Sequence, residues 1–586
     1  MKRLALYVFW EKNGMVRNHI LFYISGLKEV AQDIVFIANG ELNNEGRQKL
    51  EEQGVHILQR KNVGFDFSAW KEAFYGFSPE QLAKYDEIIL CNCSCYGPIF
   101  PFSECFQKME EKSCDFWGLY RHPAIEGLYP AHLQSYFLVL RHKLITSETL
   151  QEYWKKLSLA HNWEEAVLQE TQFTKYFEDR GFSSLSYVDE SKYLPLISNP
   201  SVLLPCMLTK EDRFPLLKRK AFTENFEIFF SAGNTAQSKD ILDFIREETA
   251  FPVDHIEEDL TAIMQGSALR RILHDVVIFS EKQKESLLGN ASCALIAFSY
   301  FEDMVETCIQ YMKRMPKGSA IYVVVISEHL YNCWLSRAEE FSDYKFEVRR
   351  QQNRGRNESA YWLTCRDVIE SYDVICVAHD KKTPSAKPGI KGWHFNRHCW
   401  DSILKSRGYV QRVIDCFIAS PQLGLLMPPP PLFSDWANII PANEWGKNRS
   451  VAKELYERLQ LSIPFDEAPD APYGAMFWLR GKAMKPFYRY PWTFEDFPEE
   501  PLSDSDGTVL HALERMYPMI AQDAGYRSAW IMSISQGAIQ FDNMHFSLVQ
   551  HKRKLLGLDK LSSKYVMKIL VRFLKNKLRK LFRMKG

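Results

Sequence analysis

Two groups of polar residues stand at spacings that could hold a phosphate-bearing ligand and move a proton. The first comprises Asn62, Gly64 and Asp66, then Asn92 and Ser94, Asp115, Gln134 and Glu170. The second comprises Asn353 and Gly355, the run His379-Asp380-Lys381-Lys382, Arg480, and Asp506, His511, Glu514 and Arg515. A phosphate is bound by cations, by backbone N–H groups, or through a metal that carboxylates hold. A hydroxyl proton is taken by a positioned Asp or Glu. Asp66, Glu170, Asp506 and Glu514 are therefore the candidate bases, and the remaining residues are candidate substrate contacts. Gly64 and Gly355 would let the backbone approach a ligand closely. Asn92 and Ser94 can hydrogen-bond a phosphate but anchor Mg²⁺ poorly, whereas Lys381 and Lys382 neutralise charge directly. Plainer roles compete at each position: Asp66 or Ser68 as a helix N-cap, Asp506 as another, a Glu514–Arg515 ion pair, a solvated lysine pair.

Elements that could position these groups alternate along the chain. Apolar runs at Leu4–Phe9, Asp33–Ala38 and Val55–Leu58 read as strands. Asn18–Val30 and Glu45–Gln53 have helical spacing, and Gly54 is a stop signal. Such alternation predicts a parallel sheet with helices on its faces and functional groups beyond the carboxyl ends of the strands. The pattern then repeats. Ala294–Ser299 and Ile321–Ile326 match the first two strands, and Asn62-Val63-Gly64 faces Asn353-Arg354-Gly355 at a shift of 291. Tyr85–Leu90 faces Tyr372–Val377 at 287, and Ser135–Arg141 faces Gly474–Arg480 at 339. Glu170 and Gly181 face Glu514 and Gly525 at 344, so the second copy carries an insertion near 383–470. The expected organisation is an α/β domain over 1–225, a connection over 226–290, a second α/β domain over 291–545 and a tail over 546–586. The proline run Pro428–Pro431 reads as a rigid loop.

At 586 residues the chain exceeds one ordinary core, and 46% apolar with 25% charged residues is a globular balance. No apolar run is long enough for a bilayer-spanning helix. Met1–Trp10 reads as a first strand rather than a signal peptide. The 13 cysteines are scattered without a C-x2-C pair, as expected of reduced thiols. Zero net charge conceals a polarity: residues 551–586 hold 13 Lys/Arg against one acid, Asp559. The body is correspondingly acidic, which argues against a general nucleic-acid binder. In 564–585, Met567, Leu570, Val571, Leu574, Leu578, Leu581 and Phe582 share one helical face and nine Lys/Arg fill the rest. A basic amphipathic helix of this kind lies on an anionic membrane surface.

Taken together, these motifs resemble the rhamnan synthesis protein F family. The resemblance is carried by Asn62–Asp66, Asn92–Pro98, Asp115–Gly118, Gln134–Phe137 and Lys218–Phe222 in the first copy. In the second it is carried by Asn353–Arg356, His379–Lys382, Gly474–Arg480, Asp506–Thr508 and His511–Arg515. It implies two GT-A-like, Rossmann-type α/β domains related by internal duplication. It also implies a glycosyltransferase, a rhamnosyltransferase using dTDP-L-rhamnose, acting on an undecaprenyl-diphosphate-linked glycan. The site of action would be the cytoplasmic face of the bacterial membrane, with the protein bound peripherally. The metal is left open between Mg²⁺, Mn²⁺ and none, because the position where a GT-A enzyme carries Asp-x-Asp holds Asn92-Cys93-Ser94. Asn357 stands where Asp is expected, and Asp380 where Thr is usual. An alternative is a catalytically inactive fold that binds glycan and scaffolds other polysaccharide synthases.

Overall fold

The structure, a computed structural model, describes the chain apart from residues 194–199, 224–236, 283–290, 383–389, 431–443, 503–505, 556–566, 568–569 and 572–586. It is an α/β protein built on two mixed sheets. The chain divides into two compact units: Met1–Met264 with Arg271–His274, and Gln265–Arg270 with Asp275–Gly586. The stretch expected to connect two domains is thus shared between the units. Helices Gln237–Glu248 and Val253–Ile263 belong to the first, and strand Val276–Phe279 to the second.

In the first unit, seven strands lie in the order Ser184–Ser186, Phe116–Gly118, Phe137–Arg141, Glu87–Asn92, Arg3–Phe9, Asp33–Asn39, His56–Arg60. All run parallel except Phe137–Arg141, which is antiparallel to both neighbours. The wholly parallel sheet expected from the alternation is therefore corrected by one reversed strand. The central strand is apolar on both faces because both are covered. Leu4, Leu6 and Val8 pack with Trp70 and Phe67, while Ala5, Tyr7 and Phe9 pack with Tyr23 and Phe102. The Trp70 indole N–H donates to the Leu6 carbonyl, fixing helix Phe65–Tyr75 on the sheet. Helix Val253–Ile263 is tied in by fully buried Asp259, which accepts from the Tyr96 hydroxyl at 2.7 Å and pairs with Arg219 at 2.8 Å.

In the second unit the order is Val276–Phe279, Arg527–Ser533, Leu423–Met427, Phe477–Arg480, Val374–His379, Cys293–Phe298, Ala320–Val325, Lys345–Arg350. Again one strand, Phe477–Arg480, is antiparallel to its neighbours. Without the extra edge strand Val276–Phe279, both sheets have the same chain order, 7-5-6-4-1-2-3, with the sixth strand reversed. The larger sequence shift beyond residue 383 reflects two helices, Ile390–Ile403 and Arg407–Ala419, before the fifth strand, and a further helix, Arg449–Arg458, after it.

The turns carrying Asn62 and Asn353 both follow the third strand of their sheets. Gly64 and Gly355 each precede a helix with φ of 77°, the left-handed region that glycine enters without penalty. A Cβ on Gly64 would meet the Ser68 hydroxyl oxygen at 2.2 Å. Neither Asp66 nor Ser68 caps the helix, since the N-cap is Gly64 itself. All 13 thiols are free. Of the expected C-terminal amphipathic helix, only Met567, Leu570 and Val571 fall within the described residues, and all three are exposed and helical. Helix Ile534–Leu555 runs across the expected domain–tail boundary at 545. Pro431, the last residue of the proline run, lies outside the described residues.

Candidate functional site

A cavity of about 650 Å³ opens at the carboxyl ends of the second unit's strands. The first strand delivers Phe298, Tyr300 and Phe301, and the fourth delivers His379 to Lys382. The turn after the third strand gives Asn353 and Arg356 to Glu358, and the start of helix Val509–Asp523 gives Leu510, His511, Glu514 and Arg515. Asp506 and Glu500 complete the wall. The candidates Asn353, His379, Lys381, Lys382, Asp506, His511, Glu514 and Arg515 line this one cavity, together with Arg356, Glu358 and the Tyr300–Phe301 pair.

Their local roles differ. Asp380 turns its carboxylate to the backbone N–H groups of Tyr300 and Phe301, at 2.7 and 2.8 Å, and so fixes the aromatic turn after the first strand. Burial pushes its pKa up to about 6. The two ring nitrogens of His379 lie 3.0 and 2.8 Å from the carbonyl oxygens of Asp380 and Gly474. Burial, helped by the charge of Lys381, pushes this ring down to about 3, so the neutral ring donates to one of these carbonyls and brings no charge to a phosphate. Lys382 pairs with Asp303, and Arg356 makes a two-point pair with Glu500 at 2.6 and 3.1 Å. Lys381 has no carboxylate partner among the described residues and lies 4.7 Å from the Phe395 ring centroid.

On the acidic side, fully buried Asn448 grips the loop before helix Val509–Asp523. Its amide donates to Asp506 at 2.7 Å, and its oxygen accepts from the Gly507 N–H at 2.9 Å. The cap of that helix is Thr508 rather than Asp506. Arg515 donates to the carbonyls of Glu444 and His511, so the expected Glu514–Arg515 ion pair gives way to a backbone clamp and Glu514 faces the cavity. Glu358 is the buried acid of the site: Asn357 and the Trp362 indole donate to its two oxygens at 3.0 and 3.1 Å. Burial, reinforced by the charge of Glu514, raises its pKa well above the ordinary value. His511 is pushed down by burial, and its Nδ1 meets the Thr508 hydroxyl at 2.8 Å.

In the first unit, Asn92 donates to Asp66 at 2.7 Å and accepts from the Ser94 hydroxyl at 2.6 Å. Lys218 lies 3.5 Å from the Ser94 oxygen and 3.9 Å from the Tyr136 ring centroid. Glu170 accepts from the Ser135 N–H and hydroxyl at 2.7 and 2.8 Å, and its charge adds to the burial that pushes Asp66 up to about 6. Gln134 accepts from Ser201 at 3.3 Å. Asn62 is exposed on its turn beside buried Gly64. Two expected site residues are not brought in. Asp115 lies at the amino-end edge of the sheet, held by Lys143 and Ser183. Arg480 lies at the matching edge of the second sheet, donating to the carbonyls of Leu423, Phe417 and Ser420. Arg480 ends a reversed strand whose carboxyl end points away from the cavity, whereas Asp115 opens strand Phe116–Gly118, which runs with the rest of the sheet, and so lies at its amino end.

The groups after the fourth strands do not suit a divalent cation. Asn92 and Ser94 are neutral, Asp380 has one oxygen committed to backbone amides and leaves only Oδ1 unbonded, and Lys381 and Lys382 bring positive charge. Among the described residues no cluster of three or more His, Cys, Asp or Glu side chains is placed to hold a metal.

A mixed α/β sheet with basic and acidic side chains lining one cavity at its carboxyl ends has them where open α/β sheets place ligands. More specifically, residues 34–526 match the model of rhamnan synthesis protein F, and the chain belongs to that family. Among curated proteins it is 21% identical over 200 residues to the uncharacterized protein y4gN of Sinorhizobium fredii, covering 34% of this chain and 52% of that one. It is also 21% identical over 238 residues to the uncharacterized protein WxcX of Xanthomonas campestris pv. campestris, covering 40% and 32%. The chain thus spans about half and about a third of these relatives. Among solved structures, the glycosyltransferase GlyE of Streptococcus pneumoniae TIGR4 aligns over 67% of this chain and 89% of its own, at 11% identity and a TM-score of 0.23. A cytidylyltransferase from Leptospira borgpetersenii aligns over 40% and 97%, at 13% identity and a TM-score of 0.23. Scores this low support no conclusion about activity.

Proposed function

We propose that the chain is a glycosyltransferase of polysaccharide synthesis whose transfer site is the cavity of the second unit. The observation that carries this reading is a single cavity lined by Lys381, Lys382 and Arg356 together with Glu358, Asp506 and Glu514. A nucleotide-sugar presents its diphosphate to the lysines and its anomeric carbon to the carboxylates. Glu514 takes the proton of the acceptor hydroxyl, whose oxygen forms the new glycosidic bond as the bond to the diphosphate breaks. The leaving diphosphate keeps the electron pair and is stabilised by the lysines. Tyr300 and Phe301 offer rings for a nucleobase.

The finer reading is a rhamnosyltransferase using dTDP-L-rhamnose and an undecaprenyl-diphosphate-linked acceptor. Two GT-A-like domains derived by duplication fit the shared strand order. No helix among the described residues is long and apolar enough to cross a membrane. The basic tail is the proposed contact with an anionic membrane on its cytoplasmic face. The test is consumption of dTDP-L-rhamnose in the presence of lipid-linked acceptor. Glu514→Ala should abolish transfer while leaving dTDP affinity within a fewfold, and Lys381→Ala should lower that affinity. Unchanged transfer by Glu514→Ala would refute the assignment.

A further inference from the structure

Helix Ile534–Leu555 carries its polarity inverted with respect to the protein beneath it. It leaves strand Arg527–Ser533 at the carboxyl end, the end of the sheet at which the cavity opens. Its first two turns are fastened to the second unit. The Ser535 N–H donates to Glu281 at 3.1 Å, and Gln536 donates to the Ser402 hydroxyl at 2.9 Å. Gly537 lies so near Ile278 that an added Cβ would stand 3.5 Å from it, and Gln540 is buried. From Phe541 to Arg553 no residue is buried, and only Ser547 and Gln550 are half-buried. At about 100° per residue, Gln536, Gln540, Asn543, Ser547 and Gln550 fall on one stripe of the helix. The least exposed stripe is thus its polar one.

The rest of its circumference is apolar and turned outward. Phe541, Phe546 and Leu548 are 65%, 63% and 54% exposed, and Ile539, Met544 and Val549 are exposed with them. Ile278, beside the foot of the helix, and Val276, two residues along the same edge strand, are exposed as well, so the apolar surface continues onto the sheet edge. A surface helix in water places its apolar stripe on the core and its polar face in solvent. A contiguous apolar face left outside marks an interaction surface. Charge selects the partner. Asp542 is the single acid in Ile534–Leu555, and the helix ends in Lys552-Arg553-Lys554, where the segment with 13 Lys/Arg against one acid begins. A second copy of this chain would set that positive charge against its own kind. An anionic bilayer offers hydrocarbon to the rings and phosphates to the bases in one surface.

We infer that helix Ile534–Leu555 seats the second unit in an anionic membrane, lying in the plane of the headgroup–acyl boundary with Phe541, Phe546 and Leu548 in the hydrocarbon. The inference rests on the reading of the basic tail as a membrane contact and adds to it a second, apolar contact that salt does not screen. A polybasic segment or a modest apolar face alone binds marginally and reversibly, and stable anchoring takes two signals. The tail draws the protein to the surface, and the helix holds it there.

The full-length protein is tested by flotation with phosphatidylglycerol–phosphatidylcholine vesicles at about 0.1 M and about 0.5 M salt, the higher of which screens charge contacts. The parent should bind at the lower salt and stay largely bound at the higher. The triple variant Phe541→Gln/Phe546→Gln/Leu548→Gln should bind about tenfold or more weakly at the lower salt and be released at the higher. These side chains are exposed and glutamine is a good helix former, so the variant should fold, and an unchanged circular dichroism spectrum checks this. Phe541→Leu/Phe546→Leu, which keeps the face apolar, should behave as the parent. Equal binding of parent and triple variant at both salts would overturn the inference. A parent released at the higher salt, with the triple variant bound equally at the lower, would overturn it and leave the tail as the contact. A parent that binds at neither salt would overturn both readings. A parent dimer that the triple variant dissolves, with vesicle binding unchanged, would assign the face to a second copy and overturn the inference.

Discussion

Replacing Glu358 by Gln tests whether the second unit holds a neutral carboxylic acid at physiological pH. The side chain is buried beneath the cavity, its oxygens face two N–H donors, and burial with the charge of Glu514 raises its pKa well above the ordinary value. In the unfolded chain a glutamate releases its proton near the ordinary value, whereas the folded chain keeps it. Between those two pKa values the folded state binds one more proton than the unfolded state, so stability falls as pH rises, by about 1.4 kcal/mol per pH unit. Glutamine has no proton to keep, so the variant lacks this slope. The amide accepts with one oxygen only. Trp362 retains the Tyr517 hydroxyl at 2.9 Å as a second partner, so the loss should be one hydrogen bond, about 1 kcal/mol. The variant should therefore be slightly less stable than the parent at acid pH. As pH rises above the ordinary carboxylate range the two should cross, and at pH 8 the variant should be the more stable. Urea titrations at pH 5, 6.5 and 8 followed by circular dichroism measure the difference. Parallel pH dependences of parent and variant would show that Glu358 is ionised in the folded protein and would refute the reasoning.

Two further predictions concern the first unit and the tail. Asp259→Ala leaves Arg219 and Arg17 without the fully buried carboxylate that faces both, and should destabilise the first unit by about 3–5 kcal/mol, read as an earlier urea transition. Removing residues 551–586, with their 13 Lys/Arg, should abolish co-sedimentation with anionic liposomes at low salt; a truncated protein that still sediments would place the contact elsewhere.

Local demands were legible in the sequence and tertiary ones were not. The glycines at 64 and 355 mark a left-handed turn, a constraint on one residue's backbone, and both follow the third strand of sheets that share one strand order. Strand direction is different in kind. Phe137–Arg141 and Phe477–Arg480 are apolar runs that read alike in either direction, and only the connection across the sheet reverses them. Arg480 lies away from the cavity for that reason, and Asp115 because it opens its strand rather than leaving it. Glu358 left no local signal either. It sits between Asn357 and Ser359, before a run of Ala, Tyr and Trp, and its burial follows from packing against Trp362, which Tyr517 of a distant helix secures.

The same limit explains how one scaffold holds two different sets of side chains. Both sheets end their first and fourth strands side by side, and both place a glycine-led helix next to them, so the backbone creates an equivalent cradle in each unit. What fills the cradle is decided by side chains that bear little of the fold's stability. Lys381 and Arg356 face the cavity, as Phe65 and Trp10 are exposed in the first unit. Exchange at such positions costs little packing energy, whereas the apolar strands beneath tolerate almost no change of volume. Two units can therefore keep one strand order while the side chains over the cradle differ, Arg356 in one and Phe65 in the other.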